Sequence, residues 1–327
     1  MENKFTILKP YGDVEWETQE FSDLADIRNP HCVSDEELIR EIRDADLLIA
    51  DVDIKVPEKI IESAKKLRGI VCAAAGTDFI DVTAATGKGI VVASIPDYCT
   101  DAVAEHTLAL MLCLCRHIIP GAKAVRDGDW ENRRFFQGVE VNGKRLGLIG
   151  LGKIGTRVAQ KCKALGMEID FYSPSVSGEA ASAAGYNKYD SLLELVKNAD
   201  FISIHTSLRN ETRGILGEKE FKSMKPTAYL INVARGAIVD ETALYQALNE
   251  HWIAGAAVDV LTKEPPEKDN PLMELENIII TPHIAWNTKE AKAKAKDQLK
   301  QIITAIIHNQ FPINVVNPEV REIWSHT

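Results

Sequence analysis

This chain of 327 residues has no long hydrophobic run, no paired-cysteine motif and no excess of positive charge. Its longest uninterrupted apolar stretch, Leu108 to Cys115, is far short of the roughly 20 residues needed to cross a bilayer. The opening decapeptide MENKFTILKP sets a single lysine ahead of a short apolar run, too little for the charged and apolar regions of a signal peptide. A cytoplasmic protein with no membrane partner is expected. The six cysteines contain no C-x-x-C pair and no zinc-type spacing with histidine, so no metal site is expected. Most lie in apolar runs, as small buried side chains do in a reducing compartment. Asp and Glu outnumber Lys and Arg 48 to 38, a net charge of −10 and the wrong sign for displacing counterions from nucleic acid. Low-complexity segments, charge blocks and repeats of 20 to 50 residues are absent as well. The remainder, 45% hydrophobic with 20 Gly and 13 Pro, is ordinary globular composition at a length that fits about two domains.

Short apolar runs alternate with helical patterns along the whole chain, the mark of stacked βαβ units and parallel sheets. Strands are expected at Phe5–Leu8, Leu47–Ala50, Ile70–Ala73 and Ile90–Ala93. Ser34-Asp35-Glu36-Glu37 reads as a capping box that opens a helix, and Pro57 suits the first turn of another. Ala102 to Ile119, apolar around most of its circumference and closed by Pro120-Gly121, reads as one buried helix that links two domains or lines a subunit contact. A second series follows at Arg145–Ile149, Ile169–Tyr172, Phe201–Ile204, Tyr229–Asn232, Ala256–Asp259 and Ile278–Thr281. Six strands suit a complete doubly wound sheet. Thr288 to His308 reads as one long helix that returns to the first domain, its lysines forming a solvated face.

Within the second series, Asn142-Gly143 makes a turn and Gly150-Leu151-Gly152-Lys153-Ile154-Gly155 lies between a strand and an amphipathic helix. That is the setting a dinucleotide loop requires: glycines for the tight turn and close backbone approach, with the helix N-terminus facing a pyrophosphate. NAD sites usually place a carboxylate at the end of the second strand, against the ribose 2′-hydroxyl. Here Ser173 stands there. Serine does not repel a 2′-phosphate, yet no Arg or Lys lies between Ser173 and Ala184 to attract one. NAD and NADP are left nearly balanced, tipped to NAD by the missing cation.

Three motifs follow strands of that series: Asn232-Val233-Ala234-Arg235-Gly236, Ala257-Val258-Asp259-Val260 with Glu264-Pro265-Pro266, and Thr281-Pro282-His283-Ile284-Ala285-Trp286. Strand carboxyl ends line the ligand crevice of a doubly wound sheet, so all three can face one point. With Ala75-Gly76-Thr77-Asp78, Asp81 and Asn210-x-Thr212, they make the chain resemble the D-isomer-specific 2-hydroxyacid dehydrogenases over nearly its whole length. The resemblance implies an α/β protein of two doubly wound parallel-sheet domains, usually a homodimer. A Rossmann cofactor domain (101–287) would be inserted into a flavodoxin-like catalytic domain (1–100 and 288–327).

The same resemblance implies roles for individual residues. Reduction of a 2-oxo acid leaves charge on the carbonyl oxygen, and His283 would supply the proton, since its ordinary pKa lies nearest working pH. Glu264 would orient the imidazole and favour its protonated form. The guanidinium of Arg235 would bond the substrate bidentately. Backbone N–H groups of Ala74, Ala75 and Gly76 would take the substrate carboxylate, with Tyr98 and Trp286 as pocket walls. Lys153 and Ile154 would cover the pyrophosphate, Thr206 and Val233 to Arg235 would complete the cofactor wall, and Asp259 would meet the nicotinamide carboxamide. The resemblance at Trp286 makes hydroxypyruvate and glyoxylate the first candidate substrates, while Trp286 and Tyr98 could equally wall a pocket for an aromatic or branched oxo acid. Phosphoglycerate would need further cations, with Lys9 and Arg126 as candidates. A binding protein is the rival reading, because the C-terminal-binding protein corepressors share the fold and sense NAD(H). Taken singly, an arginine after a strand or a Pro-His dipeptide is surface chemistry or a turn. His106 and His117, on the apolar helix, read as structural histidines, and His205 reads either way.

Overall fold

A computed structural model describes residues 4–52, 54–177, 181 and 183–324. They divide into two compact units, residues up to Cys99 together with those from Thr288 onward, and Thr100–Asn287.

The first unit is built on β1 (Phe5–Leu8), β2 (Ala25–Arg28), β3 (Leu47–Ala50), β4 (Gly69–Cys72) and β5 (Val91–Ala93). The strands are all parallel, in the order β2-β1-β3-β4-β5, which is the flavodoxin-like arrangement. Strands β3 to β5 are buried along their whole length and read as continuous apolar runs, as strands covered on both faces do. Ser34 caps its helix, the hydroxyl accepting from Glu37 N–H at 3.3 Å, while the Glu37 carboxylate reaches back to Val33 N–H at 2.8 Å. The long helix Lys289–Ile307, capped by Thr288, belongs to this unit and lies on β4. A Cβ added at Gly69 would stand 2.9 Å from Ile306 Cδ1, so glycine lets the helix close on the strand.

The second unit carries β6 (Arg145–Ile149), β7 (Glu168–Tyr172), β8 (Asn187–Lys188), β9 (Phe201–Ile204), β10 (Tyr229–Asn232), β11 (Gly255–Val258) and β12 (Ile278–Ile280). All are parallel, in the order β12-β11-β10-β9-β6-β7-β8. This is the doubly wound dinucleotide order with one strand more. The point where the order reverses lies between β6 and β9.

Three sequence expectations change. The second sheet has seven strands among the described residues, not six, because the two-residue β8 pairs at its edge. In the first sheet, β2 went unread: Ala25-Asp-Ile-Arg is a half-exposed edge strand with too few apolar positions to show a period. The apolar helix ends at Cys115, not Ile119. Val139 N–H takes the Cys115 carbonyl at 2.8 Å, His117 turns left-handed at φ 51, and a second helix, Ile118–Arg126, holds Pro120 in its first turn, where a missing N–H costs nothing. No single helix among the described residues is long and apolar enough to cross a membrane; the bent pair of these two helices meets the length and composition only jointly.

Candidate active site

The glycine loop leaves β6 at the switch point. Gly150 has φ 95, and a Cβ there would stand 2.7 Å from Thr206 N and 2.8 Å from His205 C, so the loop presses on the chain leaving β9. A Cβ on Gly155 would come within 2.4 Å of the Gly150 carbonyl oxygen. Gly152 differs: nothing in the protein lies within 4 Å of such a Cβ, and φ is an ordinary −81. It is the N-cap of the helix Lys153–Ala164, whose first N–H groups receive no side-chain cap. Two glycines are therefore required by the protein's own packing. The third stands at an open helix N-terminus, where backbone donors and the positive end of the dipole suit a pyrophosphate. Lys153 is exposed and Ile154 half-buried over this turn. Ser173 is buried at the end of β7, its hydroxyl 3.4 Å from that of Ser175. His205 Nε2 meets the Ser203 hydroxyl at 2.8 Å, and burial pushes its imidazole down to about 3, which keeps the ring neutral. Both observations fit a structural histidine.

Beyond the ends of β10, β11 and β12 the three motifs meet. His283 Nδ1 is 2.6 Å from Glu264 Oε2, and Glu264 Oε1 accepts the Leu261 N–H at 2.8 Å. Burial works to raise the Glu264 carboxyl, but the bonds from His283 and Leu261 and the charges of His283 and Arg235 outweigh it and hold the group below its ordinary value. The Arg235 guanidinium is half-buried, and its Nη1 donates to the Ala234 carbonyl at 2.9 Å. Val233 is buried, while Ala234 and Thr206 are half-buried.

His283 itself has φ 53, a left-handed backbone that costs a non-glycine residue about 1–3 kcal/mol unless its surroundings impose it. Asp259 imposes it. Its carboxylate, 1% exposed, accepts the Thr281 hydroxyl at 2.6 Å, Ile284 N–H at 2.9 Å and Ala285 N–H at 2.8 Å. Its carbonyl takes His283 N–H at 2.8 Å. Burial alone would raise this carboxyl, and the bonds it accepts hold it down. The side chain therefore first serves the loop that presents His283, a role not legible in the sequence. Trp286, half-buried, follows in the same segment.

In the first unit, Ala74, Ala75 and Gly76 form the loop after β4. Cys72 Sγ lies 3.3 Å from the Gly76 carbonyl, and Ile95 N–H bonds the Ala74 carbonyl at 3.2 Å. Tyr98 is buried. Lys9, a candidate phosphate cation, is instead committed to the buried Glu17 at 2.7 Å.

Residues 108–285 match the NAD binding domain of the D-isomer specific 2-hydroxyacid dehydrogenases. The chain belongs to that family. It is 42% identical over 316 residues to a D-3-phosphoglycerate dehydrogenase of Methanocaldococcus jannaschii, covering 97% of this chain and 57% of that protein. It is 37% identical over 294 residues to a glyoxylate reductase of Pyrococcus furiosus, covering 88% and 87%. A D-lactate dehydrogenase from Aquifex aeolicus, solved with NAD and lactic acid, superposes with a TM-score of 0.84 at 30% identity, covering 93% and 95%. The chain spans about half the length of the phosphoglycerate dehydrogenases it matches. In this chain the glycine pattern and the uncapped helix fit a dinucleotide, and the fit rests on the chain's own geometry.

Proposed function

We propose that the protein is an NAD(P)-dependent reductase of small 2-oxo acids, with glyoxylate and hydroxypyruvate as first candidates. One observation carries the reading: Glu264 holds Nδ1 of His283 at 2.6 Å, which leaves Nε2 as the nitrogen for proton exchange. When bound, a reduced nicotinamide supplies the hydride. The chain's own part is the proton. His283 gives it to the carbonyl oxygen as negative charge develops there, and the reverse reaction returns it. Glu264 balances the charge of the imidazolium and fixes its orientation. Arg235 offers a planar fork for the oxo acid. The 37% identity to a named glyoxylate reductase along 87% of its length, and the commitment of Lys9 to Glu17, favour a substrate without phosphate.

The test is a spectrophotometric screen of glyoxylate, hydroxypyruvate, pyruvate, phenylpyruvate and 2-oxoisocaproate with both reduced cofactors, and of 3-phosphoglycerate with both oxidised ones. Turnover on 3-phosphoglycerate alone overturns the substrate assignment. Turnover on none, with capture of a peptide partner, favours the corepressor-like reading. NAD is the favoured cofactor, and a preference for NADPH of about tenfold or more reverses that lean. His283→Ala should lower turnover by about 10²- to 10⁴-fold with cofactor binding retained; full turnover in this variant removes His283 from the mechanism.

A homodimer is part of the same proposal. Leu112, Ile118, Ile119, Val125, Trp130 and Phe135 are all exposed within one short stretch of the second unit, a concentration of apolar surface that a second copy would cover. Light scattering coupled to gel filtration checks it, and a monomer at working concentration refutes it.

A further inference from the structure

His106 lies in the helix Thr100–Cys115, which packs on β10, β11 and β12 beneath the ends that carry the site motifs. Its Nε2 is 3.2 Å from the Thr281 hydroxyl oxygen and 3.6 Å from Asp259 Oδ1. Thr281 has one hydroxyl proton and gives it to Asp259 at 2.6 Å. An ionised carboxylate only accepts, so the Thr281 oxygen can only receive from His106, and Nε2 must carry a hydrogen. The bonds run one way, from His106 N–H to the Thr281 hydroxyl to the Asp259 carboxylate, and chains of this kind strengthen one another in a poorly solvated setting. Asp259 then holds Ile284 and Ala285 by their N–H groups and His283 by its own carbonyl. The relay meets the Thr281 side chain before the left-handed residue and the backbone N–H groups of Ile284 and Ala285 after it, without touching the imidazole.

We propose that His106 is a positioning residue for His283, acting through Thr281 and Asp259 on the turn 281–285. The inference rests on the reading of His283 as the proton donor. His106 is 21% exposed in its side chain and Asp259 is 1% exposed, so water competes little for the far end of the relay. Loss of the donor leaves a lone pair of Thr281 unanswered and lets its hydroxyl rotate off Asp259. The carboxylate then holds the turn through fewer bonds.

Two variants test this. His106→Leu keeps bulk and removes the donor; His106→Gln restores an N–H. With the best oxo acid, His106→Leu should lower kcat by about tenfold or more, toward the 10²-fold that a small misplacement of a reacting group costs. KM and NADH affinity should stay near the parent values. His106→Gln should recover most of kcat. In ¹⁵N spectra His106 should carry a hydrogen at Nε2, and the amide signals of Ile284 and Ala285 should move in His106→Leu. Parental kcat in His106→Leu, equal losses in both variants that track their melting temperatures, a ring with no hydrogen at Nε2, or unmoved amides at 284 and 285 would each overturn the proposal. A parent chain with no turnover on any oxo acid defeats the functional reading instead, and the spectra then decide the positioning role alone.

Discussion

The glycines at 150, 152 and 155 share one motif but answer to different constraints, and mutation separates them. A Cβ at Gly155 meets a carbonyl oxygen at 2.4 Å and one at Gly150 meets the chain beyond β9, so Gly155→Ala and Gly150→Ala should lose stability before they lose a ligand. Overpacking of this kind costs about 1–3 kcal/mol. Gly152→Ala meets nothing within 4 Å. It should melt like the parent and bind NADH more weakly, as thermal melts paired with fluorescence titration would show; equal affinity would mean that the loop cradles no pyrophosphate. At this scale the sequence was readable where chemistry dictates a residue type. Glycine at the turn stood out by its setting between strand and helix, whereas Arg235, Glu264 and His283 stood out only together, through the resemblance, each taken singly being surface chemistry or a turn. His106 did not, since its partner Thr281 lies 175 positions away and a histidine on an apolar helix has many uses.

At the scale of elements, the strand ends show how packing sets charge. His205 closes β9 behind the glycine loop, and burial holds its imidazole down to about 3, against 6.5 for an ordinary histidine. Between those values the unfolded chain takes up a proton that the folded ring refuses. Stability from this group is thus complete above about pH 6.5 and falls as pH drops toward 3, by at most about 1.4 kcal/mol per pH unit. Urea melts from pH 7 to pH 4 should show a shallower decline in His205→Gln than in the parent, and parallel declines would remove His205 as the cause. Parallel strands buried on both faces were legible because their apolar runs are continuous. The edge strand Ala25–Arg28 and the two-residue β8 were not, because half of an edge is solvated and carries no pattern. The end of the apolar helix at Cys115 was missed for a related reason: it is set by a bond from Val139, which no local signal announces.

For the whole molecule, the first unit is closed by both ends of the chain. Asn317, fully buried, accepts Val92 N–H at 2.8 Å and donates to the Ile90 carbonyl at 3.0 Å and the Thr86 hydroxyl at 2.9 Å. Asn317→Ala leaves these groups without partners and should destabilise the protein by about 2–3 kcal/mol, read by denaturant melts at constant slope; a parental midpoint would show that the closing segment is held by its apolar contacts alone. Length and strand series pointed to two parts, and the lone helix after the last strand pointed to the chain's return to the first; the bounds of the insertion came from the family resemblance.

That path sets an order of events on the ribosome. The chain emerges from its N-terminus, so Thr100–Asn287 is complete while the first 99 residues still lack the helix Lys289–Ile307 and the segment that carries Asn317. The inserted unit should therefore fold first, and the outer unit should wait for the last 40 residues of the chain. Stalled nascent chains released after residue 287 should yield a protease-resistant fragment confined to 100–287, and equal resistance of residues 1–99 at that length would contradict the order. Loss of the segment from Thr288 onward is then felt first in the part of the protein made earliest.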